Sequence, residues 1–461
     1  TGVRSLSEES TGEPAHRRIK FDDIFSVVGF QDGPAPVFNS ARAPKSIVAP
    51  DEAASWPLHV KACAKTPISI AAVDQLAASA DPEDARVWAV DRQWLFNDDG
   101  RHDVIPWDGV LEVARLADEH FALLCEHGIL ALVPQTEHHK VRGTVRMFTV
   151  PEPHKRRLRR ITWTKDHNDT FPKSEAAPHR GNATRDEARE AILPSDGRFA
   201  FDFACWFDMI PTGDPVSWFE CVASRSGNVY RQLRVAAGKR SATNTATAIT
   251  RVLLSFPRPE SVHVHYATDG VSIAGSFDEC FPVALTFVER AKFVGAVIND
   301  LPVDCSADDV KAVWRTAGSD FLGDVYDFRR KTIACRDRHV ARVLEFDSNA
   351  RRHHATYADV VRLWAMCLYM ASTLAIPKDE FFAARSYFSD LSRRLWFEPH
   401  LWDARCVSRP PADVFRLAAL CAANKPATVV PAPVIRSVSI VDACGVGYAG
   451  ITTRLLDDGR L

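Results

Sequence analysis

Apolar positions recur along the chain with two different periods, and these periods predict a mixture of helices and strands. Apolar residues three and four apart over 108–127 predict an amphipathic helix, which Gly128 can end in the left-handed conformation. The helical period returns over 278–291, 306–317, 357–376 and 378–397. Shorter apolar runs typical of strands lie at 198–205, 262–266, 271–273 and 437–441. The pattern therefore predicts an α+β protein.

A basic segment interrupts this pattern between residues 134 and 165, which contains nine Lys or Arg residues and only two Glu residues. Its strand-like pieces, 144–150 and 158–164, flank Pro151-Glu152-Pro153, which predicts a hairpin. Two interpretations are open. Charge runs usually form a solvated face, but the density of Arg beside Phe148 and Trp163 also suits phosphate contact and base stacking.

Two carboxylates stand out within apolar surroundings. Asp202 lies near the end of the strand-like run Phe199-Ala200-Phe201-Asp202-Phe203, and Asp269 lies in the Asp-Gly turn between two others. Acids on neighbouring strands can hold a pair of divalent ions about 3.5–4 Å apart for phosphoryl transfer, and Mg²⁺ suits carboxylate oxygens. Structural alternatives stay open, because Asp-Gly is a common hairpin turn and Asp202 could instead accept backbone amides.

Composition removes several classes of function. Lys plus Arg is 57 and Asp plus Glu is 59, a formal charge of −2, which excludes a globally basic nucleic-acid binder. Hydrophobic residues at 46% exclude a disordered chain. The 11 cysteines include no C-x-x-C pair and lie mostly in apolar runs, so we expect reduced thiols in an intracellular protein. The longest apolar run, 363–376, is too short to cross a bilayer, and we expect no membrane partner.

Two glycine motifs fail as nucleotide-binding signatures. The segment around Gly238 and Lys239 lacks the first glycine of a P-loop, and Arg240 separates the lysine from Ser241. The G-x-G-x-x-G spacing that ends at Gly450 is not followed by the second strand and the acid of a dinucleotide fold. Gly238 can still present backbone amides to phosphate at the start of a helix.

The order of these features resembles the fingers, palm and thumb of a reverse transcriptase, closest to DIRS-like and VIPER-like retroelements. Residues 201–207 (FDFACWF) resemble the first metal motif of the palm, and 265–275 (HYATDGVSIAG) resemble the motif with the second acid. The segment 233–241 (LRVAAGKRS) is similar to the L-P-x-G-x-R segment, and 321–323 (FLG) is similar to the primer grip. Residues 440–445 (IVDACG) are similar to the first strand of ribonuclease H.

The resemblance implies a right-hand polymerase fold with an antiparallel palm sheet and a truncated ribonuclease H-like C-terminus. The implied boundaries are an N-terminal extension (1–105), fingers (106–197), palm (198–316, with a fingers-like helix at 241–255), thumb (317–400), connection (401–436) and ribonuclease H-like segment (437–461). Asp442 would be the first ribonuclease H acid, a vestige, because the other acids of that domain are absent. We therefore expect no ribonuclease H activity.

The resemblance also implies site residues. Asp202, Asp269 and the Phe203 carbonyl would hold two Mg²⁺ ions, with Mn²⁺ as a substitute, and the two acids would be catalytic. Nucleotide binding would fall to Arg159 on the triphosphate, Phe207 excluding a 2′-hydroxyl, Gly238 and Arg240. The basic segment would contact nucleic acid through Lys155, Arg156, Arg157, Arg160 and Lys165.

Two functions are consistent with these residues. The first is an RNA-directed DNA polymerase that extends a DNA or RNA primer on an RNA template with dNTPs. The alternative is an inactive, domesticated RNA-binding scaffold with protein partners in a larger ribonucleoprotein. The scaffold is motivated by Gly270 in place of a second acid, by Ala236-Ala237 where the retroelement segment has its proline, by the truncated ribonuclease H and by the near-neutral pI.

Overall fold

The structure is a computed structural model that describes residues 55–171, 185–377, 379–428, 437–444 and 447–454. Its helices are α1 (Ile70–Ala77), α2 (Pro82–Phe96), α3 (Asp118–Glu126), α4 (Lys165–Thr170), α5 (Arg185–Ile192), α6 (Trp206–Met209), α7 (Asp214–Ser217), α8 (Ala242–Leu254), α9 (Phe277–Phe293), α10 (Ala307–Ala312), α11 (Asp337–Ala350), α12 (Tyr357–Thr373), α13 (Phe382–Phe397) and α14 (Ala412–Ala423).

The strands are β1 (Leu130–Leu132), β2 (Arg146–Glu152), β3 (Arg157–Trp163), β4 (Gly197–Asp202), β5 (Cys221–Ala223), β6 (Val229–Gln232), β7 (His263–Ala267), β8 (Gly270–Gly275), β9 (Trp314–Arg315), β10 (Ala317–Phe321), β11 (Asp324–Asp327), β12 (Thr332–Cys335), β13 (Ala427–Thr428), β14 (Ser437–Cys444) and β15 (Gly447–Arg454). They pair antiparallel in sheets of order β7-β8-β4-β9, β1-β6-β5, β10-β11-β12-β13, β2-β3 and β14-β15. The predicted mixture of helices and antiparallel strands is confirmed.

The sheet β7-β8-β4-β9 carries the largest hydrophobic core of the described residues. Phe199 and Phe201 on β4 are buried and pack against aromatic residues of α9. Helix α8 is buried at every residue except Thr243. A helix enclosed on all sides needs small side chains and satisfied hydroxyls, and Thr245 and Thr250 donate to carbonyls one turn back. The Ala- and Thr-rich composition of this segment follows from that burial.

The predicted basic hairpin forms, but Pro151 and Glu152, which were predicted to lie in its turn, are paired residues of β2. Strands β2 and β3 pair without interruption from Arg146 opposite Trp163 to Glu152 opposite Arg157. A short 3-10 turn, Pro153–Lys155, connects them, and Arg156 closes the turn with a φ of 46°.

The predicted helix over 108–127 is wrong in its first half. Only α3 is helical there, and Gly128 follows it with the expected positive φ of 61°. Residues 113–115 are extended instead, because the amide of Ala114 donates to Ala223 on β5 and that of Arg115 donates to Met147 on β2. Val110 and Val113, which the helical period places on one face with Phe121 and Leu124, are 64% and 55% exposed. The hydrogen bonds that residues 113–115 make to two sheets outweigh the helical periodicity of their sequence.

The predicted helix over 306–317 is also shorter than expected. A Ser306 capping box begins α10, but the helix ends at Ala312, and the chain then adds β9 to the edge of β4.

The sheet β10-β11-β12-β13 is joined to the helices α5 and α12 by a buried ionic cluster. Asp324 at the start of β11 is 0% exposed and accepts bonds from Arg185 and Arg189 of α5 and from Thr373 of α12.

Strands β14 and β15 form a hairpin in which the backbone of Asp442 pairs with Ala449. A strand was predicted here, and its assignment to ribonuclease H stays a prediction. Residues 1–54 of the predicted N-terminal extension and residues 172–184 lie outside the described residues. Within the described ranges, no helix is long and apolar enough to span a membrane.

Candidate active site

Strand pairing brings the two predicted carboxylates together at one end of the central sheet. Asp202 is the last residue of β4 and pairs with Gly270, the first residue of β8. Asp269 precedes Gly270 in the β7-β8 turn, and its carbonyl accepts the amide of Phe203 at 2.8 Å. Thr268 turns the hairpin with a φ of 52°, a conformation unusual for a β-branched residue. Both residues keep part of their surface exposed to solvent, although their surroundings are partly buried.

The two acids are electrostatically strained. Partial burial raises the pKa of Asp269, and repulsion from Asp202 raises it further. Partial burial also raises the pKa of Asp202, against a lowering effect from the hydrogen bond of Asn299 and the charge of Lys61. Negative charge is therefore incompletely compensated at this end of the sheet, the condition in which a cation binds well.

Two residues of this site were missed by the sequence interpretation. The side-chain amide of Asn299 donates to Asp202 Oδ2 at 2.8 Å, and its backbone amide donates to the Asp202 carbonyl at 2.7 Å. Lys61 Nζ donates to Asn299 Oδ1 at 2.7 Å. No local signal marks Lys61, since it lies 238 residues from Asn299. Asn299 follows a short strand-like run but carries no motif of its own.

The donor set fits a hard divalent cation. The two carboxylates and the nearby Phe203 carbonyl are all oxygen donors, which Mg²⁺ and Mn²⁺ accept. The Asn299 amide nitrogen lies 3.5 Å from the Phe203 carbonyl oxygen and 2.8 Å from Asp202 Oδ2, so both oxygens contact the same amide group. In the part of the chain that the structure describes, no group of three or more His, Cys, Asp or Glu is arranged for a metal ion. The site rests on two acids.

The residues after Asp202 form a tight turn against the core. Cys205 has a φ of 42° and begins α6. Trp206 is buried and stacks on Phe203 with 4.0 Å between ring centroids. Phe207 is half-buried at the edge of the same core. Trp206 therefore packs in the core, whereas the neighbouring Phe207 remains partly exposed.

Gly238 and Arg240 dock against the end of the basic hairpin. The Asn168 side chain donates to the Gly238 carbonyl at 2.9 Å and accepts the Arg240 amide at 2.7 Å. A Cβ atom on Gly238 would lie 2.6 Å from the Thr162 carbonyl oxygen, so only glycine fits here without displacement. The Arg240 guanidinium donates to the Phe171 carbonyl. These contacts tie the segment to the hairpin.

The predicted nucleic-acid-binding residues divide into two groups. Lys155, Arg156 and Arg159 are exposed. Arg157 pairs with Glu152, and Arg160 pairs with Asp208 beside Phe207. The side chains of Lys165 and Asp442 lie outside what the structure describes. Sequence counting could not separate exposed from paired arginines, because the Arg160 partner is 48 residues away.

No protein-family model and no curated protein sequence matches this chain. Among solved structures, it is similar to a foamy viral protease-reverse transcriptase in complex with double-stranded DNA, at 11% identity and a TM-score of 0.49, over 87% of this chain and 70% of that chain. A second structure of the foamy viral protein with double-stranded DNA has 12% identity and a TM-score of 0.48, over 87% and 83%. A third, with an RNA/DNA hybrid, has 12% identity and a TM-score of 0.49, over 86% of this chain and 53% of that chain.

Proposed function

We propose that this chain is a metal-dependent nucleotidyltransferase, an RNA-directed DNA polymerase that extends a primer on an RNA template. One observation carries the proposal: Asp202 ends β4 and Asp269 precedes β8 at the same end of the central sheet, where the two acids repel one another. Two partly buried acids that repel one another are costly next to an apolar core. A cation shared by both acids removes that cost.

Divalent ions held by Asp202, Asp269 and the Phe203 carbonyl would activate a hydroxyl nucleophile and neutralise charge on a triphosphate. The chain's own residues would supply the rest. Arg159 is exposed on the basic hairpin and would contact the triphosphate or the template backbone. Phe207 is half-buried, five residues after Asp202, and would exclude a 2′-hydroxyl, selecting dNTPs over rNTPs. Gly238 would keep its segment close to the hairpin, with Arg240 beside it.

The basic hairpin would track the template strand. Its exposed Lys155 and Arg156 at the turn would contact phosphates without reading sequence. Arg157 and Arg160 would act indirectly, since each already neutralises an acid of the same region. The fingers, palm and thumb boundaries belong to this same proposal, as does the vestigial assignment of Asp442.

A second candidate is favoured by the acid count. With Gly270 at the position where a second acid would follow Asp269, the described site has two carboxylates rather than three. A scaffold that retains a polymerase-like site would bind RNA without catalysis, within a larger ribonucleoprotein. Its binding would not require a divalent ion.

Primer extension separates the two functions. An RNA template with an annealed DNA or RNA primer is incubated with dNTPs or rNTPs in Mg²⁺ or Mn²⁺, and RNA binding is measured in parallel with a chelator. A polymerase extends with dNTPs only in the presence of the metal ion. RNA binding that survives the chelator, with no extension in either ion, would identify the scaffold.

A further inference from the structure

An N-terminal strap, defined here as residues 56–69, connects the basic hairpin to the carboxylate end of the central sheet. Its first part pairs with β3, where the amide of His59 donates to Leu158 at 2.8 Å, and Leu58 is buried beneath the hairpin. Its last part joins the helices next to the central sheet, where the amide of Ile68 donates to the carbonyl of Met209 at the end of α6 at 2.9 Å. The strap is thus anchored on both sides of the site.

Lys61 lies between these anchors and begins a chain of side-chain hydrogen bonds. Its Nζ donates to Asn299 Oδ1 at 2.7 Å, and Asn299 Nδ2 donates to Asp202 Oδ2 at 2.8 Å. A second side-chain cation lies farther along the strap, where Lys65 pairs with Glu126 on α3. Lys61 is therefore directed toward the carboxylates, and Lys65 is directed away from them.

The chemistry of these three side chains fixes the direction of the hydrogen bonds between them. A lysine ammonium can only donate hydrogen bonds, so the Asn299 oxygen must face Lys61. The amide nitrogen of Asn299 must then face Asp202, which is the orientation that a carboxylate accepts. Without the lysine, the amide could rotate and turn its oxygen toward the carboxylate, where two acceptors repel. The backbone bond from Asn299 to the Asp202 carbonyl keeps the pair in register at the same time.

We propose that Lys61 and Asn299 are positioning residues that hold the Asp202 carboxylate in the orientation needed to share a divalent cation with Asp269. Neither residue contacts the cation. The Lys61 charge also acts on Asp202 in the direction opposite to that of the neighbouring Asp300. This inference rests on the proposed metal site, and its test is separable from the test of polymerase activity. Residues that orient metal ligands typically change metal affinity about 10–100-fold when removed.

The test measures Mn²⁺ binding by electron paramagnetic resonance, with the site-specific part defined as the part lost in a D202N/D269N double variant. Lys61→Met keeps the length of the side chain and removes its charge, and Asn299→Ala removes the bridge. We expect both to weaken site-specific Mn²⁺ binding about 10-fold. Lys61→Arg should retain most of the affinity, and the matched control Lys65→Met should remain within about 2-fold. Circular dichroism melting identifies any variant that fails to fold.

Primer extension supplies a second, independent readout. If the role is positioning, the extension rate of Lys61→Met should recover at high Mg²⁺, because the defect lies in metal affinity. Unchanged Mn²⁺ affinity in both Lys61→Met and Asn299→Ala would overturn the proposal, and so would a parent protein with no site-specific Mn²⁺ binding. If the parent binds Mn²⁺ at the two acids but extends no primer, the polymerase function fails, while the affinities of the variants still decide the positioning role.

Discussion

Replacing either site carboxylate by its amide should stabilise the fold while abolishing its proposed activity. Asp202→Asn and Asp269→Asn keep the shape of each side chain and remove one of two repelling charges. Like charges on neighbouring strands destabilise by about 0.2–1 kcal/mol, and the figure stays at this scale because both side chains are exposed and screened. A gain of 1 kcal/mol corresponds to about 2–4 °C in melting temperature for a cooperative unit of 150–250 residues.

The structure also predicts an order between the two variants. Asp202 receives a hydrogen bond from Asn299 and the favourable charge of Lys61, whereas the raised pKa of Asp269 is opposed only by a backbone hydrogen bond. Asp269→Asn should therefore stabilise more than Asp202→Asn. A carboxyl whose pKa is raised in the folded state destabilises the fold when it ionises. The gain should thus be full at pH 7 and shrink as the pH falls through the raised pKa toward about 4.

Thermal melting of the metal-free parent and variants between about pH 4 and pH 8 measures this gain, with Asp278→Asn as the control. Asp278 is an exposed acid in the first turn of α9, beyond the opposite end of β8, and its substitution should not produce a gain of this kind. A loss of stability at pH 7 in both site variants would refute the reasoning. That result would make the acids structural, as a hairpin-turn residue and an acceptor of backbone amides.

Three further perturbations test other parts of the account. Asp324→Ala removes the carboxylate that pairs with Arg185 and Arg189, and it should lower the free energy of urea unfolding by about 3–5 kcal/mol. The control Asp327→Ala on the same strand should lower it by less than about 1 kcal/mol. Equal losses in the two variants would contradict the buried cluster. Gly238→Ala places a methyl group 2.6 Å from the Thr162 carbonyl oxygen and should lower both melting temperature and extension rate, and an unchanged variant would show that the hairpin docks differently. Arg159→Ala should reduce the salt dependence of RNA affinity by about 0.7–0.9 in log–log slope, and an unaltered slope would exclude this arginine from the RNA interface.

The carboxylate pair could be predicted from the sequence because both signals are local. Asp202 ends an apolar strand and Asp269 lies in an Asp-Gly turn, so the antiparallel pairing of those strands was enough to bring them together. The basic hairpin was predictable for the same reason. A turn signal lies between two strand-like runs, which was enough to predict that the runs pair but not their register, because β2 continues to Glu152 and the turn forms at Pro153–Lys155.

The errors and omissions have one physical source, contacts between residues far apart in the chain. Residues 113–115 carry helical periodicity but bond to two sheets, and sequence spacing cannot show such partners. Lys61 reaches the site on a strap 238 residues from Asn299. The ion pair of Arg160 with Asp208 converts an apparent phosphate ligand into a structural group. The local sequence pattern identified the two acids, whereas the partners of Lys61 and Arg160 depend on tertiary contacts that the pattern does not show.

The central claim is that Asp202 and Asp269 together support metal-dependent nucleotide addition. Single-turnover incorporation of one dNTP into a primer on an RNA template tests it most directly, in Mg²⁺ and Mn²⁺, with the parent, Asp202→Asn, Asp269→Asn and the control Asp278→Asn. The account predicts incorporation by the parent and the control and a loss of at least about 100-fold in each site variant, a barrier increase of about 2.7 kcal/mol. Incorporation by a site variant at the parental rate, or a parent that is inactive in both ions, would contradict it.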